Sequence, residues 1–189
     1  IKEGYALLGV FDGLSGEANA SMASETALKE IADYVDRNFK TKKPDKILEY
    51  AIEAANFKVM LGGTTASVVL VLEDGSYFYA NIGDSHIYKS SSSSVERLTK
   101  DDRDTSSAST YFANRYVVSQ CLGGIIKDVD QGSGKLNKGD AVFVISDGVI
   151  DNLFIRIEEG RVTDTSGKMD LEEIISKAKG PKEFIEMLA

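Results

Sequence analysis

Four aspartates constrain this chain more than any other feature. Asp12 ends Gly9-Val10-Phe11-Asp12-Gly13, Asp84 falls in Asn81-Ile82-Gly83-Asp84-Ser85, and Asp147 and Asp151 belong to Val144-Ile145-Ser146-Asp147-Gly148-Val149-Ile150-Asp151-Asn152. Apolar, partly β-branched residues precede them, so these acids read as standing at the ends of buried strands. Such strand ends converge. Two carboxylates a few ångströms apart repel by roughly 4 kcal/mol at an effective dielectric near 20, so a cluster of them needs protons or cations. Hard divalent ions suit oxygen donors. The fold must therefore gather distant strand ends at one point.

The periodicities supply elements able to do this. Tyr5 to Phe11 is uniformly apolar and reads as a strand covered on both faces. Met22, Ala23, Ala27, Leu28, Ile31, Ala32, Val35 and Phe39 recur at helical spacing. Pro44, a helix-starting residue, opens a second helix with Ile47, Leu48, Ala51, Ile52 and Ala55 on one stripe. Strand patterns follow at Thr65 to Leu72, Tyr77 to Ile82, His86 to Lys89 and Val95 to Leu98, and their short connections predict antiparallel neighbours. Asp101 to Tyr116 is polar and Ser-rich and reads as a surface excursion ending in a short helix. Ala141 to Ser146 is another buried strand, and Leu171 to Ala178 and Lys182 to Leu188 read as closing helices. Helices, a meander of strands and helices again make an α+β sandwich of sheets covered by helices.

At 189 residues and 42% hydrophobic content, the chain suits one compact domain. With two prolines and one short low-complexity stretch, Ser90 to Ser94, no linker divides it, so residues 1–189 are expected to be a single domain. It opens on Ile1 without an initiator methionine, so terminal segments are taken to be missing. A formal charge of −8, from 30 acids against 22 bases, argues against a nucleic-acid partner. No stretch reaches membrane-spanning length, and the single cysteine, Cys121, suits a reducing, cytoplasmic setting.

Six phrases in order carry a family resemblance: Val10-Phe11-Asp12-Gly13, Gly63-Thr64-Thr65-Ala66, Asn81-Ile82-Gly83-Asp84-Ser85, Leu98-Thr99-Lys100-Asp101-Asp102, Leu122-Gly123, and Ser146-Asp147-Gly148 through Asp151-Asn152. Together they resemble the metal-dependent serine/threonine protein phosphatases of type 2C. The resemblance implies two stacked antiparallel β-sheets flanked by helices, a four-layer α-β-β-α sandwich. It implies hydrolysis of phosphoserine or phosphothreonine in phosphorylated protein substrates by direct attack of a metal-activated water, with no catalytic side chain. It also implies two Mn²⁺ or Mg²⁺ ions and room for a third. Asp12 matches the bridging ligand, Gly13 a carbonyl donor and Asp147 a ligand of the second metal; Asp84 and Asp151, with Asp147, match the third site. A monomer is expected.

The same residues have plainer readings. Asp-Gly pairs are common in turns, and Asp84 and Asp151 also suit local caps. Glycine after Asp12 and Asp147 would allow a sharp turn and a close approach. Gly62-Gly63-Thr64-Thr65 lacks the lysine of a phosphate loop and reads as close backbone packing near the site. His86 reads as a surface strand residue, Cys121 as a small buried hydrophobe, and Lys40, Lys42 and Lys43 as solvated charge. Leu14 stands where some relatives have a histidine, and neither the family's phosphate-binding arginine strand before Tyr5 nor its closing Asp-Asn strand after Leu153 is found. A phosphatase-like binding module that has lost ligands, and a phosphatase of the bacterial anti-sigma-factor-antagonist type, are the alternatives.

Overall fold

A computed structural model describes residues 1–100, 102, 117–149, 156–158, 161–164, 168–178 and 181–188. The elements run β1 (Tyr5–Val10), α1 (Ala20–Asn38), α2 (Pro44–Lys58), β2 (Ala66–Leu72), β3 (Ser76–Ile82), β4 (His86–Ser90), β5 (Val95–Arg97), β6 (Asp130–Lys135), β7 (Ala141–Ile145), β8 (Arg156–Glu158), β9 (Arg161–Asp164), α3 (Lys168–Lys177) and α4 (Pro181–Leu188). One antiparallel sheet has the order β1-β2-β3-β6 and a second the order β5-β4-β7, while β8 and β9 form a hairpin.

Strand alternation sorts the core into three apolar layers. Val68, Leu70, Ala80 and Ile82 face the helix pair and bury against Ala27, Ile31 and Val35 of α1 and Ile47, Ala51 and Ile52 of α2. The opposite face of the same strands carries Val69 and Tyr77, which meet Ile87 of the second sheet. Tyr88 and Ile145 then face Leu171 and Ile175 of α3 and Phe184 of α4. The result is four layers, α-β-β-α. Each fully buried Ile or Leu contributes about 1.5–3 kcal/mol relative to exposure, so all three interfaces hold the stack together.

Several sequence expectations need correction. β1 is an edge strand: Leu8, on the face turned toward the second sheet, is 39% exposed, because that three-stranded sheet leaves the middle of β1 uncovered. The buried stripe of α1 is narrower than its apolar pattern, with Met22, Leu28 and Ala32 on the solvent side. β3 and β4 are not neighbours, since Gly83-Asp84-Ser85 carries the chain from one sheet to the other. β6, Asp-Gln-Gly-Ser-Gly-Lys, is a strand the apolar pattern does not reveal. The expected excursion at 101–116 lies outside the described residues except for Asp102.

Candidate metal centre

One end of the stacked sheets assembles the site. Asp12 follows β1, and its backbone extends the ladder one step past the strand: its N–H donates to the Thr65 hydroxyl at 3.0 Å, and its carbonyl accepts from Thr65 N at 2.8 Å and the Thr64 hydroxyl at 3.0 Å. Leu14 N donates to the Gly63 carbonyl at 2.9 Å, completing an antiparallel bridge between Gly13 and Thr64. In such a bridge Gly13's own N–H and C=O point away from the Thr64 segment. A β-carbon on Gly13 would lie 2.6 Å from the Ala20 carbonyl oxygen, so the start of α1 seats only against glycine. Gly62-Gly63-Thr64-Thr65 is thus the close-packed support beside the acids that its composition suggests.

Asp84 occupies the crossing between the sheets and is 4% exposed. Gly83 makes the crossing possible. Its φ is +101°, and a β-carbon there would lie 2.6 Å from the Thr65 methyl group. A buried hydroxyl and amide network lies beneath the turn: Ser67 donates to the Asn81 side-chain oxygen, the Ser85 and Thr65 hydroxyls stand 3.3 Å apart, and Asn81 Nδ2 donates to the Gly83 carbonyl at 3.2 Å. Asp147 follows β7, where helical backbone begins. β4 and β7 pair up to His86 opposite Ile145, so the two strands end side by side, two residues short of Asp84 on one and of Asp147 on the other.

Asp12, Gly13, Leu14, Ser15, Thr65, Asp84, Val118 and Asp147 line one cavity of about 40 Å³. Its donors are oxygens, the chemistry that hard divalent cations take. Among the described residues no three His, Cys, Asp or Glu side chains form a group close enough to hold an ion by themselves. Asp151 lies outside the described residues. Larger surface hollows, one of about 740 Å³ between α1 and α2, are remote from these acids.

Three neighbouring residues answer their sequence readings differently. His86 is buried, not at the surface, because it shares with Tyr88 the face of β4 that α3 and α4 cover; its Nδ1 lies 3.3 Å from the Tyr88 hydroxyl. Cys121 is partly buried, and burial, with the Glu17 charge behind it, pushes its thiol pKa up, as suits an unreactive side chain. Among the described residues a β-carbon on Gly148 would meet only the Ser146 hydroxyl, at 3.6 Å, so none of them demands glycine there. Gln120 and Asp102 hold the crossing from the side, and no periodicity or turn chemistry in the sequence singles out Gln120.

The profile of the protein phosphatase 2C family matches residues 1–165. The chain belongs to that family. Solved structures of phosphatases share its fold at low identity. The Mycobacterium smegmatis Ser-Thr phosphatase MsPP, in complex with cacodylate, aligns with a TM-score of 0.69 and 24% identity over 97% of this chain and 82% of its own. The Mycobacterium tuberculosis serine/threonine phosphatase PstP/Ppp gives 0.67 and 20% over 96% and 81%. RsbX in complex with magnesium gives 0.63 and 18% over 100% and 74%. A search of curated protein sequences returned no match. Among the described residues, no helix of this phosphatase 2C chain is long and apolar enough to cross a membrane.

Proposed function

We propose that this chain hydrolyses phosphoserine and phosphothreonine in proteins, using Mn²⁺ or Mg²⁺ held by Asp12, the Gly13 carbonyl and Asp147, with Asp84 and Asp151 at an accessory position. The observation that carries this reading is the shared cavity of Asp12, Asp84 and Asp147, three acids from distant parts of the chain. Family membership and the magnesium bound to RsbX support it. Bound there, such ions would make a nucleophile of water near neutral pH and neutralise charge on the phosphoryl oxygens.

The chain's own residues do the positioning. Thr64 and Thr65 fix the backbone of Asp12 on both sides, so its carboxylate is delivered to the cavity at little entropic cost. The pairing of β4 with β7 and the Gly83 turn bring Asp84 and Asp147 to one cavity. The Thr65 hydroxyl is engaged by Asp12 N and lies beside Ser85, in keeping with a structural role. Phosphoryl transfer rests on positioning and charge neutralisation, so no side-chain nucleophile is required.

Hydrolysis of an aryl phosphate and of a phosphothreonine peptide, measured in Mn²⁺, in Mg²⁺ and after chelation, tests this. Turnover should need the metal, and Asp147→Asn should lower kcat/KM by at least ~100-fold. Metal-independent turnover would point to a different apparatus. Phosphoprotein binding without turnover in either metal would make the chain a binding module.

A further inference from the structure

The Gln120 side chain is 8% exposed and uses every hydrogen-bonding position it has. Its Nε2 donates to Asp102 Oδ2 and to the Asp128 carbonyl, each at 2.8 Å, and its Oε1 accepts from Lys127 N at 3.0 Å and Asp128 N at 3.2 Å. Flipping the amide would set oxygen against two acceptors, so only one orientation fits. The same Asp102 Oδ2 accepts from Gly83 N at 2.7 Å, and Asp102 N reaches the Gly83 carbonyl at 3.4 Å. Ser119 N donates to the Asp102 carbonyl at 3.0 Å. Asp102 is therefore held on one side by the 119–120 segment and grips the residue before Asp84 on the other.

We propose that Gln120 is a positioning residue that acts through Asp102 and Gly83 to hold the Asp84 carboxylate in the cavity. The proposal rests on the metal-dependent reading for its consequence in catalysis, but the mechanical link does not. Without Gln120 the Asp102 carboxylate loses a buried donor, and the charge-assisted bond to Gly83 N is held less firmly. Val118, two residues before Gln120, also lines the cavity, so the segment that carries the clamp forms part of its wall. Partners bonded directly to a metal ligand typically govern affinity or activity by about 10–100-fold, and a clamp acting through Asp102 and Gly83 belongs at the lower end of that range.

Two measurements test it separately. Amide hydrogen exchange on the metal-free protein should show the Gly83 N–H exchanging about tenfold faster or more in Gln120→Leu, with α2 amides unchanged. Gln120→Glu keeps the volume and the two accepted bonds but turns a carboxylate on Asp102, and it should have the same effect should Gln120→Leu fold poorly. Calorimetric Mn²⁺ titration then closes a cycle with Asp84→Asn. Gln120→Leu should weaken Mn²⁺ binding about tenfold on its own and add nothing to Asp84→Asn, because both remove the same contribution. Unchanged Gly83 exchange in both Gln120 variants overturns the proposal, as do additive effects in the cycle. Absence of phosphatase turnover with the exchange result intact overturns the proposed function and leaves the clamp standing.

Discussion

Gly83 is where one residue decides whether the acids can meet. Its φ of +101° is open to glycine and strained for other residues, and a β-carbon would press on the buried Thr65 side chain that also holds Asp12. Gly83→Ala should destabilise the fold by roughly 1–3 kcal/mol, read as a lower urea midpoint with an unchanged slope. Gly148→Ala, at an Asp-Gly pair that looks alike in sequence, should stay within about 0.5 kcal/mol, because among the described residues the β-carbon would meet only the Ser146 hydroxyl, at 3.6 Å. Equal losses at the two positions would contradict this account of the crossing. Cys121 gives a second residue-scale expectation. Burial, and after it Glu17, raises its thiol pKa, so the thiolate is scarce at neutral pH. Iodoacetamide should alkylate Cys121 at pH 7 several-fold more slowly than it alkylates glutathione, and faster labelling would argue against an inert thiol.

Among the elements, β6 shows why a strand can be invisible in sequence. Gly132 lies opposite Tyr79 and Gly134 opposite Tyr77, and β-carbons on these glycines would fall 2.5–2.6 Å from tyrosine ring or hydroxyl atoms. The rings cover the glycines, so cross-strand packing replaces the apolar residues a strand pattern needs. β6 is further tied to the β2–β3 turn. The Lys135 ammonium donates to Asp74 at 2.9 Å, and with the Ser76 N–H and hydroxyl it holds the Asp74 carboxyl down to about 2. A depressed acid stabilises the fold fully above the ordinary carboxylate range, and the contribution is lost as pH falls from about 4 toward about 2. The pair is exposed, so the effect is small and salt-sensitive. In low salt, Asp74→Asn should flatten the fall in urea midpoint across that window. An unchanged slope would mean the turn gains nothing from Lys135. The helices and most strands were legible because their burial is periodic, as Ile47, Leu48, Ala51, Ile52 and Ala55 show. The sheet change between Ile82 and His86, the buried face of His86 and the Gln120 clamp were not. Each depends on a partner distant in sequence, which local periodicity does not encode.

The whole molecule places the site at the end of the stack where the two sheets meet. Asp12 comes from the end of the four-stranded sheet, Asp147 from the end of the second, and Asp84 from the connection between them. The phrases around these acids were legible in sequence, while their meeting depends on two registers and a glycine turn. On the proposed reading, a divalent ion there ties the two sheets together and binds only the folded chain. Stabilisation should then grow with free metal, reaching about 2.7 kcal/mol at a hundredfold excess over Kd. For a chain of this length that is a rise in Tm of about 5–10 °C. The acids also repel one another, so one substitution should change sign with conditions. In chelator, Asp147→Asn removes a like charge from the cavity and should raise Tm by a few degrees; in Mn²⁺ it removes a ligand and should leave the protein less stable than the parent. Differential scanning calorimetry of parent and variant, with Mn²⁺ and with chelator, reads both arms. If Asp147→Asn lowers Tm equally in the two conditions, the aspartate is a structural turn acceptor and the sheets do not share an ion.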